Sequence, residues 1–159
     1  MADKLFTTEF NEDNTMKNDM TVIGTSTIIE AIEENAIKCG GDIEIRGKVK
    51  GIVAVSGNAD IYGTVEGNIE ANQLNLQSGS QVKGDINCQN SLKVEDGSSV
   101  EGNLKAKSAY VNSNVLGNIE TSGDVRIDSS SIINGNITTS SINVESGAVI
   151  NGQLAIKKQ

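Results

Sequence analysis

One residue type returns along this chain at near-constant spacing, and that recurrence constrains the fold more than any other feature. Gly51, Gly67, Gly84, Gly102, Gly117, Gly135 and Gly152 are separated by 16, 17, 18, 15, 18 and 17 residues. A period of this length confines a chain to architectures in which each unit packs mainly on its neighbours. The positions around the glycines are as regular. Two residues before them stand Val49, Val65, Val82, Val100, Val115, Ile133 and Ile150, all β-branched. Two residues after stand Val53, Ile69, Ile86, Leu104, Ile119, Ile137 and Leu154. Four before, every residue is small, from Gly47 and Gly63 through Ser80, Ser98, Ser113 and Ser131 to Ala148. A second apolar pair follows in each unit, from Ala59/Ile61 and Leu74/Leu76 to Ile142/Val144.

Alternating apolar and polar residues mark a strand, because successive side chains point to opposite faces. Each unit holds about three such short strands. Between two of them lies a Gly–Asn or Gly–Asp step in most units, and both residue types suit a corner. One unit of 15–18 residues is therefore read as one turn of a solenoid, with turns about 4.8 Å apart. The predicted fold is all-β: a single-stranded parallel β-helix (β-solenoid), roughly triangular, of about seven turns. A run of hairpins is the alternative, but hairpins require neither a fixed unit length nor matched columns.

Composition fits this reading. A chain of 159 residues suits one domain. Its only aromatic residues are Phe6, Phe10, Tyr62 and Tyr110, so the core must be Val, Ile, Leu and Ala. The net charge of −8 argues against nucleic acid, whose phosphates demand a basic face. Cys39 and Cys88 are too few for a disulfide framework and fit a reducing cytoplasm. No stretch is apolar enough to span a bilayer or to serve as a signal peptide. Asn136-Ile137-Thr138 matches a glycosylation acceptor, which means little without secretion.

Residues 1–20 lie outside the repeat, are polar, and are read as a disordered tail. Within it Leu5, Phe6 and Phe10 are a candidate membrane anchor that would have to act by insertion alone, with a plain spacer as the alternative. The solenoid domain is placed at 21–156, followed by a short tail at 157–159. Residues 21–45 are read as an irregular first turn. There Ile28, Ile29 and Ile32 point inward, Ala31 stands where a glycine is expected, and Glu33-Glu34-Asn35 protrudes. A short helix over 28–38, capping the end, is the other reading. The last unit runs almost to the final residue with no capping repeat, and an uncapped end is a template for another subunit. Self-association is therefore expected, with Ile150, Leu154 and Ile156 near one contact.

Thr21-Val22-Ile23-Gly24, then Val-Glu-Gly-Asn-Ile at 65–69, Val-Lys-Gly-Asp-Ile at 82–86 and Val-Glu-Gly-Asn-Leu at 100–104, resemble the bactofilins over roughly 21–156. That resemblance implies a right-handed, roughly triangular β-helix with disordered tails. It implies polymerisation without nucleotide or other cofactor, through contacts between like ends. It also implies scaffolding of cell shape, stalks, polarity or wall enzymes, in the cytoplasm and often beneath the membrane. The partners implied are the chain itself, the inner membrane surface and envelope proteins. An N-terminal contact would then involve Val22, Ile23, Ile28, Ile29 and Ile32. The chain departs from the family at Ala31, at the extra Glu33-Glu34, and in lacking an aromatic C-terminal residue, for which Leu154 and Ile156 would substitute.

Two other functions compete. A β-helix acyltransferase also uses turns of about 18 residues, and Val82, Cys88, Val94 and Val100 fall six apart. Such enzymes need a histidine base, and this chain has none. A carbohydrate lyase would need clustered acids and long loops; Glu66, Glu101 and Glu120 read instead as solvated charge. A monomeric binding module is the remaining class, and it differs from a scaffold in staying soluble and unassembled.

Overall fold

The computed structural model describes residues 20–25 and 27–157, with the side chains of Met20 and of 30–36 left out. Within them every regular element is a strand, and every strand pairing is parallel. The chain enters through β1 (Met20–Ile23) and β2 (Ile28–Cys39), then repeats the path set by β3 (Asp42–Ile45) and β4 (Lys48–Val55). One face is an eight-stranded sheet whose strands follow chain order, one per turn. The other two faces grow from the two halves of β4, which runs unbroken through the corner at Gly51. Three faces per turn make the section triangular.

The register confirms the repeat residue by residue. Ile69, Ile86, Leu104, Ile119, Ile137 and Leu154 stack as direct partners along one face. Unit length varies only at the corners. Turns containing Gly79, Gly97 and Gly147 lengthen three units, and the 15-residue unit from Gly102 to Gly117 lacks one. Inward columns build one continuous core of Ile, Leu and Val, and each fully buried aliphatic side chain contributes about 1.5–3 kcal/mol. The small column marks a tight corner: Ser80, Ser98, Ser113 and Ser131 are all buried. Ser131 Oγ donates to the Val111 carbonyl at 2.8 Å, which removes the penalty of burying a hydroxyl.

Two columns do more than their residue types foretold. A Cβ on Gly102 would lie 2.1 Å from the carbonyl oxygen of Gly84, and Gly67, Gly84, Gly117, Gly135 and Gly152 stack on their predecessors in the same way. The glycine is demanded by the approach of the neighbouring turn as well as by its φ of +148°. The next column is a hydrogen-bond ladder. Asn68 Oδ1 accepts the backbone N–H of Asp85, whose side chain accepts that of Asn103, and the chain of bonds continues through Asn118 and Asn136 to Gln153 at 2.8–3.0 Å.

The first turn corrects the sequence reading in two places. Residues 28–38 form no helix; they belong to β2, paired with β4. Ile28 points outward and is exposed, whereas Ile29 is buried. The register passes from Glu30↔Lys50 to Asn35↔Ile52, so residues 31–34 stand opposite Gly51 alone. The insertion expected around Glu33-Glu34 is thus a bulge at the corner within a strand.

Candidate polymer contact at the ends of the solenoid

At the C-terminal end each face finishes in a strand with one free edge: Ser141–Val144, Val149–Asn151 and Leu154–Ile156. Free edges present unpaired backbone donors and acceptors, the template for another β element. The inward columns end there too. Leu104 is 1% exposed and Leu154, in the same column, is 46% exposed. Ile156 is 52% exposed, one turn beyond the fully buried Thr139. Val144 is likewise exposed, while Ile142 and Ile150 are partly buried against the core. The predicted residues Ile150, Leu154 and Ile156 therefore come together, with Val144 as a fourth member that the contact assignment missed. Its place in the Ile142/Val144 pair was the available signal.

At the N-terminal end the predicted residues divide. Ile23 is 4% exposed, and Ile29, Ile37 and Cys39 are buried with it. Val22 and Ile28 are both more than half exposed. The side chain of Ile32 and the whole of Leu5, Phe6 and Phe10 lie outside the described residues.

A side face shows a feature the sequence reading passed over. In its outward positions Lys50, Glu66, Lys83 and Glu101 are direct partners in successive turns, followed by Leu116. Leu116 is exposed, as are Ile132 and its partner Val149 in the adjacent column. Aliphatics replacing charges in outward columns were the signal.

The ionisable groups show no catalytic arrangement. Burial pushes the Cys88 thiol up to about 12, so the thiolate that an acyl-transfer nucleophile requires is scarce at neutral pH. Tyr110 lies between Lys93 and Arg126, each within 6 Å of its ring, and its hydroxyl donates to Asp128 at 2.5 Å. That bond raises the tyrosine's pKa and lowers the carboxylate's. Glu66 pairs with Lys48, and Glu120 lies between Lys105 and Lys157. Among the described residues no group of three His, Cys, Asp or Glu is placed to hold a metal ion, and no helix is long and apolar enough to cross a membrane.

A regular solenoid with open strand edges and an exposed core section defines a class of protein built to stack. The family comparison agrees: the model of the bactofilins, described as polymer-forming cytoskeletal, matches residues 8–99 and again 79–155. This chain belongs to the bactofilin family and is a polymer-forming cytoskeletal protein. The overlap of the two matches follows from the repeat, since a turn resembles its neighbours. No curated protein and no solved structure matches the chain.

Proposed function

We propose that the protein is a bacterial scaffold that assembles end to end into filaments without nucleotide and organises partners in cell shape or envelope construction. The observation that carries this reading is the exposed core section at the last turn. Val144, Leu154 and Ile156 retain roughly half their surface, and covering a Leu or Ile completely contributes about 1.5–3 kcal/mol. The free edges beside them supply hydrogen bonds in the same step, so stacking needs no chemical energy source.

The described residues also favour one arrangement. The first turn has its inward residues covered, so it offers no matching apolar section to a last turn. Two last turns match each other, which makes a two-fold contact between C-terminal ends the favoured joint. A filament then needs a second contact between N-terminal ends, for which Val22 and Ile28 are the exposed apolar candidates.

Negative-stain microscopy and pelleting in nucleotide-free buffer test this. Filaments are expected from the wild type, and only dimers joined at their N-terminal ends or monomers from Leu154→Glu, with the β-sheet circular dichroism unchanged. Wild-type protein that stays monomeric at high concentration refutes the scaffold reading; unchanged filaments in Leu154→Glu refute the assignment of the joint.

A further inference from the structure

A groove runs down the corner where the third face meets the first. Two recesses of about 480 and about 230 Å³ compose it and share Asn87 and Gln89. The small inward column, including Ala71, Cys88 and Ala106, lines it. Its C-terminal half is basic: Lys105, Lys107 and Lys157 line it against a single carboxylate, Glu120, a net of +2. Glu120 is shared, 3.8 Å from Lys105 Nζ and 4.0 Å from Lys157 Nζ. A basic recess is conspicuous on a chain of net charge −8.

The chain enters the solenoid beside this groove. Met20 pairs with Asp42, at the head of the column that continues through Asn58, Ser91, Ser108, Asp124 and Ser141. Lys107, Ser122 and Ser140 on the groove wall precede that column by one or two residues. Whatever precedes Met20 therefore leaves the first turn at the groove's N-terminal mouth.

What precedes it is acidic. Residues 1–19 hold five acidic side chains against two basic ones, net −3, with Glu9, Glu12 and Asp13 closest together. The reach is sufficient. Lys107 is four turns below Met20, about 19 Å along the axis, and the seven residues from Asp13 to Met20 span up to about 23 Å. Lys157 is seven turns below, about 34 Å, and the eleven residues from Glu9 span up to about 36 Å.

We propose that the N-terminal segment folds back along this groove in its own chain and docks Glu9, Glu12 and Asp13 on Lys105, Lys107 and Lys157. Exposed ion pairs are individually weak. A tethered segment nevertheless meets the recess at an effective concentration on the order of millimolar, so weak pairs suffice where a free acidic peptide would dissociate. Docking places the segment beside the last turn, in reach of the joint proposed above, although the assignment does not depend on assembly.

Zero-length carbodiimide cross-linking of the full chain, read by peptide mass spectrometry, tests it. Equal mixing of ¹⁴N and ¹⁵N chains separates links within a chain from links between chains, whether or not filaments form. The Glu120–Lys105 and Glu120–Lys157 links serve as internal standards. Links from Glu9, Glu12 or Asp13 to the three lysines are expected within one chain, with Lys107 the clearest because it has no standard link. They should fall about tenfold in about 1 M salt, where the Debye length is about 3 Å, and again when Glu9, Glu12 and Asp13 become Gln, Gln and Asn and the remaining segment carboxylates are counted. Carboxylates of the segment that link mainly to Lys38, Lys83 or Lys93, or to no lysine, overturn the proposal. So does a predominance of mixed ¹⁴N–¹⁵N links.

Discussion

The two ends of this solenoid are made of the same kind of residue and behave differently. In the first turn Ile23, Ile29, Ile37 and Cys39 are buried; in the last, Val144, Leu154 and Ile156 are exposed. Residue type does not explain this, since Leu104 and Leu154 occupy one column and differ only in whether another turn lies beyond them. Burial in a solenoid is a property of position along the stack. An end that is open in this sense is adhesive, and one that is covered is not.

Charges placed in the two environments give the largest contrast. Leu104→Glu buries an unpaired carboxylate and should cost 4 kcal/mol or more, by about, unfolding the domain in thermal denaturation. Leu154→Glu in the same column should cost under about 1 kcal/mol; equal losses would end the distinction between interior and end. Next, Gly102→Ala forces a Cβ onto the Gly84 carbonyl at an unfavourable φ and should cost about 3 kcal/mol. Gly79→Ala is the control, with a positive φ but nothing within 4 Å of the new Cβ, and should cost about 1 kcal/mol.

At the N-terminal end, Ile23→Ala should cost about 2–3 kcal/mol in urea denaturation, and Val22→Ala under about 0.5 kcal/mol. A silent Ile23→Ala would mean that the first turn is as open as the last. Asn103→Ala removes one acceptor from the ladder, strands the N–H of Asn118, and should cost about 1 kcal/mol. The smallest effect is expected at Tyr110→Phe, on an exposed side face. The tyrosine's raised pKa contributes stability below its ordinary 10.0 that is lost as pH rises through the folded value. The lowered pKa of Asp128 contributes stability above its ordinary 3.8 that is lost as pH falls through the folded value. The variant's deficit should therefore appear in a melting-temperature profile between about pH 4 and 10 and vanish outside it.

Much of the architecture was legible in the residues alone. The glycine period marked the turn, and the alternation around it marked the inward columns, because side-chain alternation is a local consequence of strand backbone. Column size marked the corners, and the serine column proved buried as its size required. Leu154 and Ile156 were legible as end residues because the repeat stops with them.

Other features depended on atoms one turn away or on where stacking ends, and no local pattern encodes those. Residues 28–38 read as helix or irregular turn because their apolar spacing is ambiguous; pairing with β4 decided for a strand and set the bulge opposite Gly51. Gly102 looked like a corner residue, and the Gly84 carbonyl made it a contact residue as well. The Asn column looked like turn chemistry, and its side chains proved to bond the next turn's backbone. The groove joins Lys105 to Lys157, 52 positions apart in the chain and three turns apart in space. Sequence alone determined the repeating unit and its inner face, because both arise within a few residues. Tertiary structure decided which surfaces stay open, because exposure depends on whether a neighbouring turn is present.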